Sequence, residues 1–260
     1  MLVYPQLESG ALAQYPVLKT RRTRTVVNRT ADGSTLRLAD PAVETTEWLL
    51  RYSDLSDAEA ASLQEFFEAA EGSLRTFTFV DPAGNLLAWS ERFESDAWQK
   101  DPLLTIDAGI ADPRGDSGGW RLANRAGGVQ EIAQTIAAPG YYQYCFSAYV
   151  RSAAPTMVTL SIAGQAAECA ASSRWTRVSI TSSGAAGAAS VRFGIALGAG
   201  DTVEVFGPQV EAQSAASAYM VSTRGGVYEG AYLGEDTLTI SRTNVNRNSC
   251  TVKIIHANHL

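Results

Sequence analysis

The chain has 260 residues, of which 45% are hydrophobic and 18% charged. That is enough apolar material for one large or two ordinary packed domains and too much for a disordered chain. A net charge of −6 and a pI of about 5.0 exclude a broadly basic surface for nucleic acid.

Residues 1–24 are mixed in character, with extended backbone expected at Tyr4-Pro5 and Tyr15-Pro16, because proline pushes the preceding residue away from helix. Lys19, Arg21, Arg22 and Arg24 then place four cations in six residues, a run that suits a solvated β-edge or a subunit contact better than a phosphate site. Thr25-Val26-Val27 and Thr35-Leu36-Arg37-Leu38 flank Ala31-Asp32-Gly33-Ser34, whose Asp-Gly pair predicts a hairpin turn. Glu44 to Tyr52 alternates, with Trp48, Leu50 and Tyr52 on one buried face.

Ser56-Asp57-Ala58-Glu59 is a capping box, and Leu63, Phe66, Phe67 and Ala70 recur at helical spacing, so an amphipathic helix is expected, ending at Gly72. Thr76 to Phe79 alternates as a strand and stops at Asp81-Pro82-Ala83-Gly84. From Asn85 the texture changes. Residues 105–128 read as loop, followed by short strands expected at Gly128–Ile136, Gln143–Arg151, Met157–Ile162, Trp175–Ser182, Ser190–Ala196 and Thr202–Gln209. Gly, Ala and Ser turns separate them and no helical period appears, which indicates an antiparallel sandwich or jelly roll. Two more strands, Thr237–Ser241 and Thr251–Ile255, have no core of their own and are expected to complete the sheet begun before residue 84. The middle of the chain is thus read as a domain inserted into another.

Chemistry is sparse. The two histidines, His256 and His259, lie in the final residues, a poor place for a catalytic triad or a metal centre. Three cysteines without a C-x-x-C spacing predict neither a disulfide nor a zinc site, and Cys145 reads as a buried small apolar residue. Carboxylates are spread over the middle domain with no spacing that singles out a glycosidase pair. Glu91, Asp112 and Asp116 are candidates for a structural Ca²⁺, since loops of such sandwiches supply carboxylate and carbonyl ligands. Trp98 and Trp175 are expected in the core. Trp120, beside Gly118-Gly119, and the pair Tyr141 and Tyr142 are the candidate exposed aromatics on which a sugar ring could stack.

Two stretches resemble known families. Leu49–Tyr52, Leu55-Ser56-Asp57, Leu63-Gln64-Glu65-Phe66-Phe67, Glu71-Gly72 and Phe77-Thr78-Phe79-Val80-Asp81-Pro82 resemble the small β-sandwich-plus-helix domain of bacteriophage distal and minor tail proteins. Asn85-Leu86-Leu87-Ala88-Trp89-Ser90-Glu91-Arg92-Phe93, Phe146 to Arg151, Trp175-Thr176-Arg177 and Gly207-Pro208-Gln209-Val210-Glu211 are similar to the carbohydrate-binding-module-like jelly rolls found in phage tails. The resemblance implies a mainly β chain: a tail-assembly domain at 1–84 and 224–260, interrupted by a jelly roll at 85–223. It implies a virion structural protein, not an enzyme. Such a protein is made in the host cytoplasm and forms a homo-oligomeric, hexameric ring at the tail tip between tail tube and hub, with an outward domain for host-surface saccharide. Neither nucleic acid nor membrane insertion is expected, since no apolar run approaches the ~18 residues that span a bilayer and no signal region opens the chain. A glycan-active enzyme and a free-standing lectin are the competing readings.

Overall fold

The computed structural model describes residues 2–257, with backbone alone at 41 and 42, so His259 lies outside the described residues. In chain order the elements are β1 (Leu18–Arg29), β2 (Thr35–Leu55), α1 (Asp57–Ala70) and β3 (Phe77–Val80). There follow β4 (Gln99–Lys100), β5 (Leu104–Ile110), β6 (Gly119–Asn124), β7 (Gln130–Ile136), β8 (Tyr144–Arg151) and β9 (Thr156–Ile162). Next come β10 (Gln165–Ala171), β11 (Thr176–Ser182), β12 (Val191–Leu197) and β13 (Thr202–Glu211). The chain closes with β14 (Val227–Leu233), β15 (Ile240–Asn244) and β16 (Arg247–Ala257). It is mainly β, with antiparallel sheets and one helix.

The chain divides into two compact units. Unit 1 holds the residues up to Glu8, Ala13–Phe79 and those from Tyr228 onward; unit 2 holds Ser9–Leu12 and Val80–Val227.

Unit 1 is built on one sheet in the order β1-β2-β16-β14-β3, with β15 hung on β16. β16 lies antiparallel to β2, setting Val252 against Leu50 and Ile254 against Trp48. The alternation of Trp48, Leu50 and Tyr52 buries all three, and Tyr4 joins them through a 2.9 Å hydrogen bond between the Tyr4 and Tyr52 hydroxyls. Edge-to-face rings tie the layers: Trp48 to Phe79 at 5.0 Å and Tyr4 to Phe66 at 5.1 Å. The capping box is formed, with Ser56 Oγ accepting from the Glu59 amide and the Ser56 amide donating to the Glu59 carboxylate. α1 buries Ala60, Leu63, Phe66 and Ala70, while Phe67, expected on the same stripe, is only half-buried. The helix ends with Glu71 and Gly72 both in the left-handed region.

Because β16 pairs with β2 only from Thr45 onward, the outer part of β1 and β2 continues as a two-stranded ribbon. Its tip is the Asp32-Gly33 turn, where Asp32 accepts from the Ser34 amide at 3.0 Å and Gly33 takes a φ of 84°. Val27, Leu36, Leu38 and Val43 are 43–56% exposed along this ribbon.

Unit 2 is a sandwich of two five-stranded antiparallel sheets, β10-β9-β12-β7-β4 and β11-β8-β13-β6-β5. Alternate residues of facing strands fill it: Tyr144, Phe146, Ala148 and Val150 of β8 meet Phe193 and Ile195 of β12 and Leu160 of β9, all buried. The Tyr144 and Phe193 rings stand edge to face at 5.5 Å. The incoming and outgoing chain segments run side by side: Asp81 N donates to Gly226 O at 2.7 Å, Gly226 N to Asn85 O at 3.1 Å, and Ser90 N to Ser222 O at 3.0 Å. Asn85 stitches them with its side chain. Its Nδ2 donates to Pro208 O and Met220 O, and its Oδ1 accepts from Leu87 N and Val210 N.

The unit boundaries differ from 84/85 and 223/224 because this pairing begins at Asp81 and ends at Gly226. Several strands escaped the sequence reading. β5 and β6 occupy half of the stretch expected as loop, leaving residues 111–118 and 125–128 as connections. β10 is rich in alanine and lacks the β-branched residues that mark a strand, and the alternation of β14 is broken by Gly230 at φ 77°.

Asn85→Ala strands two buried amide donors and removes two bonds to carbonyls, a loss of about 3 kcal/mol. Hydrogen exchange should read it as roughly a hundredfold faster exchange at Leu87 and Val210. In unit 1, Ser56→Ala should cost about 1 kcal/mol of unfolding free energy, seen in urea titration of the transition that melts α1.

Candidate functional site

The strand register of the second sheet builds the most chemically furnished surface of unit 2. On β8 the residues alternating with the core are Cys145, Ser147, Tyr149 and Arg151. Arg151 stands opposite Glu204 on β13, and Glu204 opposite Arg121 on β6, so the three form one row across three strands. Arg121 Nη2 donates to Glu204 Oε1 at 3.0 Å and Arg151 Nε to Glu204 Oε2 at 2.7 Å. The row ends on Trp175, whose half-buried indole lies 4.6 Å from the Arg151 guanidinium and donates through Nε1 to Ala111 O at 3.2 Å. A second row repeats the pattern of cation and ring: Arg114 lies over Phe206 at 4.6 Å, and Arg177 over Tyr149 at 5.5 Å. Beyond it the face closes, since Arg177 Nη2 bonds Ser147 Oγ and Gln209 Nε2 reaches Ala218 O.

Beside the first row is a hollow of about 470 Å³ lined by Arg121, Glu204, Thr202, Asp201, Ser152 and Thr156, among others. Burial works against an ionised Glu204, but the hydrogen bonds and charges of Arg121 and Arg151 outweigh it and hold the carboxyl below its ordinary range. The carboxylate is therefore an acceptor and a poor proton donor. With guanidinium donors, hydroxyls and an indole beside it, the row can hold a hydroxylated ligand; the depressed Glu204 carboxyl is the opposite of the raised pKa that a glycosidic general acid needs.

The predicted sugar-binding aromatics are distributed differently. Trp120 is 8% exposed; it tilts over Phe93 at 5.7 Å and donates its Nε1 to Glu91 O, so it anchors the chain beneath the surface. Tyr142 is fully buried, because β8 begins just after it and draws it into the core beside Tyr144. Tyr141 is 49% exposed and meets Tyr142 edge-on at 5.2 Å. Trp175, expected in the core, instead stands at the rim, because it precedes β11 on the sheet's outer side; Trp98 is buried as expected.

The predicted cation ligands are organised around an arginine. Arg114 Nη2 bonds Glu91 Oε1 at 3.1 Å and Asp112 Oδ2 at 3.2 Å, so a guanidinium occupies the position between these carboxylates. Asp116 contributes its main-chain amide to Asp112 Oδ1. Among the described residues no group of three metal-ligating side chains comes together. Asp112 is buried, which raises its carboxyl affinity for a proton, but hydrogen bonds from Arg114 and from the Asp116 amide prevail and hold it below the ordinary range.

On the ribbon, Arg21, Arg22 and Arg24 pair across the strands with Glu44, Glu47 and Asp40, the Arg22 contact at 2.7 Å and the Arg24 contact at 3.6 Å. Lys19 lies over the Trp48 and Tyr228 rings at 5.5 and 5.4 Å. The histidine that is described, His256, stands edge-on to Tyr228 at 5.2 Å. Cys145, Cys169 and Cys250 are all free thiols.

No family model matches the chain, and no curated protein matches its sequence. Among solved structures, about half of the chain is similar in fold to the enzymatically active domain of tailspike protein 4 from bacteriophage CBA120, at 13% identity and TM-score 0.39, over 50% of this chain and 22% of that one. It is also similar to the C-terminal family 22 carbohydrate-binding module of Clostridium thermocellum Xyn10B, at 10% identity and TM-score 0.40, over 55% of this chain and 100% of that one. A xylan-binding domain of family 22 matches at 12% identity and TM-score 0.41, over 53% of this chain and all of its own length (100%). This chain thus spans about a fifth of the tailspike domain's own length, and the whole of the modules.

A carboxyl whose folded value is depressed lends stability above its unfolded value and loses it as pH falls through the folded value. For Glu204 and Asp112 the ordinary values are 4.5 and 3.8. Unit 2 should therefore melt progressively earlier as pH drops below about 4.5, and Glu204→Gln should flatten that slope in scanning calorimetry. Arg114→Ala, which leaves Asp112 buried without its guanidinium, should destabilise the chain at neutral pH by about 1–3 kcal/mol.

Proposed function

We propose that the chain is a structural protein of a long-tailed bacteriophage tail tip, acting by assembly and recognition and not by catalysis. Unit 1 joins copies of itself into a ring, hexameric in this reading, between tail tube and hub. Unit 2 offers its Arg121–Glu204–Arg151–Trp175 row to a host-surface saccharide. The sequence resemblance supplies the class. The observation that carries it is the β1–β2 ribbon, which holds Val27, Leu36, Leu38 and Val43 in solvent on two strands with no third among the described residues. A ribbon of this kind has no packed face of its own, and apolar side chains exposed on both of its faces, Leu36 and Leu38 on one and Val27 on the other, favour association.

The recognition half rests on the row itself. Trp175 is fixed at its Nε1 and by Arg151, so its ring is pre-oriented, and Glu204 sits between two donors as a directed acceptor.

Native mass spectrometry of the full chain tests assembly. A closed oligomer is expected, and replacing residues 24–40 by a two-residue turn should return it to monomer. A full chain that stays monomeric at every concentration would leave the free-standing lectin reading in its place. Release of reducing sugar from host polysaccharide would replace both with a glycan-active enzyme. Calorimetric titration of host polysaccharide against Trp175→Ala should show binding weakened about tenfold, the loss of roughly 1.4 kcal/mol typical of an aromatic contact.

A further inference from the structure

The segment that leads into the sandwich ends in an indole aimed at solvent. Trp89 is 37% exposed, and its backbone lies at φ 50°, the left-handed region that bulky side chains disfavour. Two hydrogen bonds keep it there: Trp89 O accepts from the Trp98 indole Nε1 and from the Arg92 amide, both at 3.0 Å. Trp98 is buried edge-on to Phe93 at 4.7 Å, and the Trp120 indole secures Glu91 O two residues further on. Two buried tryptophans thus grip the main chain that displays the third. A glycine or asparagine at position 89 would meet the same backbone demand with less strain, and the core gains nothing from a ring it does not contain.

Around the indole lies a hollow of about 440 Å³ lined by Arg92, Glu94, Ser95, Asp96 and Ala97. The Arg92 guanidinium lies over the Trp89 ring at 5.6 Å. Glu94 and Asp96 are exposed, and neither makes an ion pair among the described residues, so both offer acceptor oxygens. The lining therefore mixes an apolar plate, two acceptors and the donors of Arg92 and Ser95, the set that a ring bearing hydroxyls, each both donor and acceptor, can satisfy.

We infer that this hollow is a second saccharide site, in which Trp89 stacks the C–H face of a neutral pyranose and Glu94 and Asp96 accept from its hydroxyls. An organic cation would meet the like charge of Arg92 over the same ring, whereas a neutral sugar meets no such opposition. The inference rests on the saccharide-binding reading of unit 2 but not on the Trp175 row, which is a different set of residues.

The test is titration of the full chain with β-1,4-linked gluco-, xylo- and manno-hexaoses, following the tryptophan indole N–H resonances and the heat of binding. A saturable shift of the Trp89 resonance is expected with at least one of them. Trp89→Ala should weaken that binding by about tenfold, Glu94→Gln or Asp96→Asn by about fivefold, and Trp175→Ala should leave the Trp89 shift in place. Trp89→Asn, which tolerates the left-handed backbone, should show the same loss with an unchanged melting temperature, which separates loss of contact from loss of fold. If sugar binds and Trp175→Ala abolishes it while the Trp89 resonance never moves, the second site is refuted and the first reading stands. If no sugar perturbs either tryptophan, both fall. If Trp89→Ala impairs only association between protein chains, the indole is a protein contact and the inference is overturned.

Discussion

The side-chain amide of Asn85 is the constraint on which unit 2 depends. It satisfies four backbone groups at once, one on the segment that enters the sandwich, two on β13 and one on the segment that leaves. The two amide donors, Leu87 N and Val210 N, are buried at these bonds, and leaving them unpaired costs about 1–3 kcal/mol apiece. Asn124 does the same at the far end, donating to Gly128 O, Leu197 O and Gly198 O while accepting from Ala126 N. Gln134 pairs both ways with the backbone of Ala88. A sandwich has an apolar interior and irregular ends. These amides let the ends turn through buried space without leaving their carbonyls and N–H groups unpaired.

With the ends fixed, the surfaces follow from register. The bulge that shifts β13 against β8 between Phe206 and Gln209 separates an open row of Arg121, Glu204 and Arg151 from the part of the face covered by residues 214–220. The same logic sets the charges. Glu204 lies between two arginines, Asp112 and Glu91 share Arg114, and Glu131 Oε2 accepts from Arg192 Nε and Nη2, along one edge of the guanidinium, at 3.0 and 2.6 Å. Gly194 makes that last contact feasible, since a Cβ there would collide with the Glu131 carboxylate. Paired in this way, Glu204, Asp112, Glu91 and Glu131 act as fixed acceptors.

Local chemistry was legible in the sequence wherever one short pattern decides the outcome. Ser56 and Glu59 cap α1 because three residues and one turn suffice, Asp32-Gly33 turns its hairpin, and the strand expected at Gln143–Arg151 forms as β8. The aromatics were harder. Trp120 has glycines before it and reads as a loop residue, yet Gly119 lets it pair into β6 and swing under Phe93. Trp89 sits in an apolar run, Leu86-Leu87-Ala88-Trp89, which does not mark it for exposure. Only a change of backbone sign at that residue turns its ring outward, and no spacing rule announces it. The Arg121–Glu204–Arg151 row joins residues far apart in the chain, so nothing short of the strand register could have assembled it.

The pairing of Asp81 with Gly226 carries a consequence for how such a chain diversifies. The two points where the sandwich is spliced in are one hydrogen bond of 2.7 Å apart, so deleting everything between them leaves ends that a tight turn can rejoin. The host sheet keeps every strand it needs. A lineage could therefore exchange the middle cassette for another, or drop it, and leave the sheet of unit 1 with all its strands.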